Sequence, residues 1–160
     1  MSNNGGLPMT EFTRKRLHRD LAYVREKVKE ALLQIGEAGG TSDWHDNWAL
    51  DQAYQEYEFY CTRQTVLEKF LHKMWIIEPP KNSENVEIGS SVIVRDEETR
   101  TKKKFTLLGQ ADAGRQLGWI SYLSPIGKKL LGKRVGSVIR FKVGGNLKRY
   151  QLLAISPYES

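Results

Sequence analysis

Asp43-Trp44-His45-Asp46-Asn47 joins two long apolar seams, and the way it joins them decides what the first half of the chain is. Before it, Leu17, Leu21, Val24, Val28, Ala31 and Ile35 recur at alternating spacings of four and three, the heptad seam of a coiled coil. This predicts a helix from about Thr13 to Ala38, stopped at Gly39-Gly40, since glycine takes the left-handed C-cap conformation without strain. After it, Leu50, Ala53, Tyr57, Tyr60, Gln64, Leu67, Leu71 and Met74 repeat the pattern with one polar member, Gln64. Two seams joined by a handful of residues fold as an antiparallel hairpin. At ~1.5 Å rise per residue, each helix is roughly 40 Å long. Such an object is an arm with the acidic stretch at its free end.

Charge sharpens this reading. Between Lys29 and Arg63 there is no lysine or arginine, while Glu30, Glu37, Asp43, Asp46, Asp51, Glu56 and Glu58 all fall there. The whole chain nevertheless has a formal net charge of +6. Residues 1–80 hold 10 Lys+Arg against 12 Asp+Glu, or −2, and residues 81–160 hold 15 against 7, or +8. A basic half of this kind fits either a polyanionic or acidic partner or a merely solvated surface.

Beyond the arm, Pro79-Pro80 is expected to end the second helix, because neither proline donates a backbone hydrogen bond. Lys81 to Asn85 reads as a linker, with the domain boundary near Glu78. Ser91–Arg95 and Phe105–Leu108 read as strands flanking an exposed hairpin tip that includes Lys102-Lys103-Lys104. Gly118–Ser121 is another short strand. Ser124 and Pro125 then open a helix over Ile126 to Leu131, with Ser124 as N-cap, Pro125 at its first position and Gly132 as its stop. Val138–Val143 and Tyr150–Ile155 form a last hairpin through Gly144-Gly145-Asn146. The expected architecture is α+β in two domains. Residues 1–12 are a disordered lead, 13–78 a coiled-coil hairpin, and 79–160 an antiparallel sheet domain with one short helix.

Composition narrows the function. No apolar run approaches the ~18 residues a membrane span needs, and the N-terminus lacks a secretory pattern. A single cysteine, Cys61, cannot form an internal disulfide, which fits a reducing cytoplasm. His18 and His72 have no ligand spacing with each other or with Cys61. No phosphate-binding glycine loop, zinc pattern or nucleophile elbow occurs.

Asp43 and Asp46 allow two readings. At spacing i, i+3 they form a variant of the capping box, satisfying free amides at a helix start. Equally, two carboxylates on one side of a turn suit a magnesium ion whose remaining positions are filled by water and phosphate. Trp44 and Trp48 flank them, and indoles at the end of an arm serve either contact or packing across the turn. His45 is either a proton shuttle or a solvated side chain. Arg14, Lys15, Arg16 and Arg19 form a basic cluster on the first helix, either a solvated face or a stripe that follows a nucleic-acid backbone.

On these residues the chain resembles the Gre family (GreA and GreB), bacterial factors that rescue backtracked RNA polymerase. Ile120-Ser121-x-x-Ser124-Pro125-Ile126, then Leu130-Leu131-Gly132-Lys133-x-Val135-Gly136, is similar to the family's I-S-x-x-S-P-I-A-x-A-L-I-G-K-x-x-G signature. Gly144-Gly145 with Tyr150-Gln151-Leu152-Leu153-x-Ile155 resembles its closing hairpin, P-G-G-x-x-x-Y-E-I-L-x-I. Counting back without a gap from Arg63–Ile77, the family's tip motif D-L-S-E-N falls on Asp43 to Asn47.

The resemblance implies an arm entering the polymerase's secondary channel. Asp43 and Asp46 would be the catalytic pair, binding Mg2+ jointly with RNA polymerase at the nascent RNA 3′ end. Trp44, His45 and Asn47 would make tip contacts, and Arg14, Lys15, Arg16 and Arg19 would contact RNA or polymerase. It also implies an FKBP-like C-terminal domain docking through Ser121, Leu123, Ser124, Pro125 and Ile126, in a cytoplasmic monomer that is an accessory factor and not an enzyme by itself. The departures are Asp46 for glutamate, one methylene shorter, Trp44 and His45 for leucine and serine, and Leu123 where aspartate or asparagine is usual. They leave a channel-binding regulator without cleavage activity as the alternative. A prolyl isomerase is a third class, which fold alone does not establish.

Overall fold

The computed structural model describes residues 6–39, 48–81 and 84–159. It divides into two compact units, Arg14–Lys73 and a second made of Met1–Thr13 with Met74–Ser160.

The first unit is the helical arm. Helix α1 covers Glu11–Gly39, its first three residues belonging to the other unit, and α2 covers Trp48–Lys73. At ~1.5 Å per residue they are about 44 Å and about 39 Å long. The seams are where spacing put them. Leu17, Leu21, Val24, Ala31 and Ala53 are buried, and Val28, Ile35, Leu50, Tyr57, Tyr60, Gln64, Leu67 and Leu71 are half-buried. Arg25 Nη2 of α1 reaches Glu68 Oε1 of α2 at 2.8 Å. Side-by-side packing of two such helices joined by so short a link requires an antiparallel course.

The second unit holds two sheets. Strands β1 (Leu7–Met9) and β2 (Met74–Ile76) pair in parallel, Pro8 opposite Trp75. Strands β3 (Ser90–Asp96), β4 (Lys102–Leu108), β5 (Trp119–Ser121), β6 (Val138–Val143) and β7 (Asn146–Pro157) form one sheet in the order β5-β4-β3-β7-β6. Three pairings are antiparallel, and β5 joins β4 in parallel. Helix α3, Pro125–Leu130, packs Leu130 and Ile126 with the main core of Val92, Val94, Leu107, Ile139, Phe141, Tyr150 and Leu152. A smaller core gathers Ile77, Leu108, Trp119 and Tyr158. Successive residues of β4, Leu107 and Leu108, enter different cores, so the cores lie on opposite faces of the sheet.

Three expectations need correction. The lead is structured from Leu7 onward, because Leu7–Met9 pairs with β2 and the Ile77 amide donates to the Met9 carbonyl at 2.9 Å. The second helix stops at Lys73, well before Pro79, since Met74–Ile76 is drawn into that pairing, and the compact units part at Lys73/Met74 instead of Glu78. Lys102, Lys103 and Lys104 lie within β4, not at a hairpin tip. The turn closes earlier, at 97–101, where Asp96 Oδ1 accepts from the Glu98 and Thr99 amides and Arg100 takes a φ of 61°. The last hairpin turns at Gly144 (φ 56°) and Gly145 (φ 86°), positive angles that a two-residue turn of this hand requires.

Candidate functional site

Asp43, Trp44, His45, Asp46 and Asn47 lie outside the described residues. What flanks them is described. Helix α1 has no basic residue in its last turn, and α2 carries Asp51 in its first, where a carboxylate is favoured by the helix dipole. Trp48 is 75% exposed at the start of α2. An indole this open is available for contact. Among the described residues, no group of three or more His, Cys, Asp or Glu could hold a metal ion.

The predicted docking loop is built by reciprocal bonds. The Ser121 hydroxyl accepts from the Leu123 amide at 3.1 Å, and the Ser121 carbonyl accepts from the Ser124 amide at 3.0 Å and the Ser124 hydroxyl at 2.6 Å. Ser124 Oγ in turn accepts from the Gly127 amide at 3.0 Å, which caps α3, with Pro125 at its opening. A Cβ on Gly127 would stand 2.1 Å from the Ser121 carbonyl oxygen, so the turn closes only around glycine. With both serines engaged inward, Leu123 (43% exposed) and Pro125 face solvent, and Ile126 packs against the core. The loop therefore presents an apolar knob on a rigid base.

Arg14, Lys15 and Arg19 come together with His18 around one shallow depression on α1, while Arg16 is exposed but does not line it. Sequence reasoning grouped all four cations. Helical geometry brings three of them together, at i, i+1 and i+5, with His18 at i+4.

One constellation was missed. Asp112, fully buried, accepts from the Thr10 amide with both oxygens at 3.1 Å and from the Thr10 hydroxyl at 2.5 Å. Thr10 Oγ1 also accepts from the Thr13 amide at 3.3 Å, capping the start of α1. Phe12 meets Trp119 edge-on at 6.0 Å, and the Pro8 carbonyl fits against Gly109, where a Cβ would stand 1.7 Å from its oxygen. Tyr158 OH donates to the Ile77 carbonyl at 3.2 Å, and its pKa is raised, first by burial and then by the charges of Asp112 and Glu11. The only sequence signal was a threonine before a helix, because its acceptor lies 102 residues away.

Residues 81–157 match the family described as "Transcription elongation factor, GreA/GreB, C-term". The chain is 32% identical to transcription elongation factor GreA of Geobacillus kaustophilus, over 97% of this chain and 99% of that one. It is also 32% identical to GreA of Bacillus licheniformis, over 98% and 100%. Among solved structures, GreA factor homolog 1 of Thermus thermophilus matches with a TM-score of 0.44 and 29% identity, covering 94% of this chain and 98% of that one.

Proposed function

The chain belongs to the GreA/GreB family of transcription elongation factors, and we propose that it binds bacterial RNA polymerase and stimulates cleavage of backtracked RNA through Asp43 and Asp46. The observation that carries this reading is a helical arm whose acidic connection, Asp43 to Asn47, lies in a stretch without a single lysine or arginine from Glu30 to Thr62. No lysine or arginine within that stretch is available to pair with the two carboxylates. Their hard oxygens suit Mg2+, which accepts one or two protein carboxylates when phosphate and water complete its shell. Bound there, the ion would supply a second metal that activates the attacking water. The chain itself contributes length, stiffness and two carboxylates, so it acts as an accessory factor to the polymerase at the RNA 3′ end.

The docking loop supports the same reading. Leu123 and Pro125 stand on a base fixed by Ser121 and Ser124, which suits a pocket on a partner surface. A second reading, a channel-binding regulator that does not stimulate cleavage, is favoured by the shorter Asp46 and the bulkier Trp44 and His45.

The deciding experiment adds the full chain to polymerase halted on a backtracked transcript. Shortened RNAs are expected with the wild type, and Asp43→Asn/Asp46→Asn should lower the rate on the order of 100-fold while leaving polymerase binding intact. Binding without shortened transcripts from the wild type would select the regulator instead.

A further inference from the structure

The two faces of the five-stranded sheet differ in charge. Val92 and Val94 enter the main core, so Ile93 and Arg95 belong to the opposite face. Strand register carries that face across the sheet. Lys104 lies opposite Ile93, Lys102 and Gln151 opposite Arg95, and Arg149 opposite Arg140. Leu108 and Trp119 of the smaller core cover one end of this face. The other end is open, with Lys102, Lys104, Arg140, Lys142 and Arg149 exposed and Arg95 half-buried.

We propose that this open end is a docking surface for the sugar-phosphate backbone of duplex DNA. The five strands carry one carboxylate, Asp96, which is buried on the opposite face. Burial works to raise its pKa, but the Glu98 and Thr99 amides and the charges of Lys148 and Lys103 outweigh it, so the pKa is lowered and the group stays ionised. The strand lysines that do reach carboxylates, Lys103 to Asp96 and Lys148 to Glu98, sit on that same opposite face. Among the described residues, the exposed cations of the open end form no ion pair.

Like charges directly opposite one another, Arg95 with Lys102 and Arg140 with Arg149, weaken a sheet. An anionic partner lying across the face would offset that repulsion. Arg95 Nη2 donates to Gln151 Oε1 at 2.6 Å, while its buried Nε has no acceptor. Gln151 is neutral, so the residue bonded to Arg95 adds no negative charge to the face.

Charge by unit agrees. Residues 14–73 hold 10 Lys+Arg and 10 Asp+Glu, while residues 1–13 with 74–160 hold 15 and 9, so the entire +6 resides in the sheet unit.

The form of the array selects the partner. Phe105, Phe141 and Tyr150 all pack with the main core, leaving the open end without an aromatic platform on which single-stranded bases stack. Exposed cations two residues apart along a strand are about 6.7 Å apart. A duplex, with one charge per ~1.7 Å of axis, offers phosphates to every cation in such a row.

The test titrates the full chain into a labelled mixed-sequence DNA duplex by fluorescence anisotropy over a range of salt. Lys102→Gln/Lys104→Gln/Arg140→Gln/Lys142→Gln should lose on the order of 100-fold in affinity and flatten the log–log salt slope by about 3 to 4, near 0.9 per lost phosphate contact. Gln151→Glu should weaken binding several-fold by placing a carboxylate beside Arg95. Neither variant should melt earlier than wild type, because each relieves repulsion among like charges on the surface. An unchanged slope in the quadruple variant would overturn the proposal. So would tighter binding to single-stranded RNA, or to polyglutamate of equal charge, which would assign the face to a different partner.

Discussion

The arm and the sheet unit are stabilised over very different distances in the chain. In the arm, Lys27–Glu30 and Glu26–Lys29 are pairs at i, i+3, and the seam residues recur within a turn or two. In the sheet unit the decisive contacts span most of the sequence, Thr10 to Asp112 and Ile77 to Tyr158 among them. The burial differs as well. Val92, Val94, Leu107 and Leu152 are wholly inaccessible, whereas most α2 seam residues remain half-exposed. A two-helix arm has one shared seam and no second layer, so it gains stiffness without a deep interior. The sheet unit has two cores, and its deeper burial predicts the larger share of the stability.

The largest stability effect should come from comparing one chemical change in the two places. Leu152→Ala is expected to cost about 3–5 kcal/mol, because the cavity it leaves is closed on all sides. Leu67→Ala, on the half-exposed seam, should cost about 1–2 kcal/mol. Urea midpoints of the two variants measure the difference, and equal losses would mean the arm is packed as tightly as the sheet.

Next in size is the long-range clamp. Asp112→Ala strands the buried amide and hydroxyl of Thr10 and should cost about 3 kcal/mol, whereas Asp112→Asn keeps an acceptor and should cost less. Amide hydrogen exchange at Thr10 and Thr13 provides the local readout.

Gly127→Ala should cost about 1–3 kcal/mol by pushing a methyl toward the Ser121 carbonyl. Its diagnostic is weaker polymerase binding, since Leu123 and Pro125 would move with the turn.

The smallest effect belongs to the arm's surface. The bond from Arg25, and then that from Gln64, lowers the Glu68 pKa. A lowered carboxylate pKa stabilises the fold above its unfolded value, and the contribution is lost as pH falls through the folded value. The stability difference between wild type and Glu68→Gln should therefore shrink below the ordinary glutamate value of 4.5, and also in high salt. A difference that persists in acid would assign the effect to packing.

The helix α3 shows how much was readable. Ser124, Pro125 and Gly132 are local signals, and the structure has a serine cap, a proline at the opening and a glycine with φ 74° just past the end. The Lys102–Lys104 run shows the opposite case. Three lysines look like a loop, but their placement in β4 follows from pairing with Ile93, Val94 and Arg95. Strand position depends on a neighbour the sequence does not announce.

By itself the sequence determined the two seams, the acidic stretch between them, the glycine turns and the helix cap, because each depends on residues within a turn or two of one another. Only the tertiary structure decided that Leu7–Met9 is a strand, that Asp112 caps the entry to α1 through Thr10, and that six cations from four strands share one open face. The physical reason is the same in each case: these features arise from pairing between distant segments, and the register of a sheet, not the spacing along the chain, sets which side chains become neighbours.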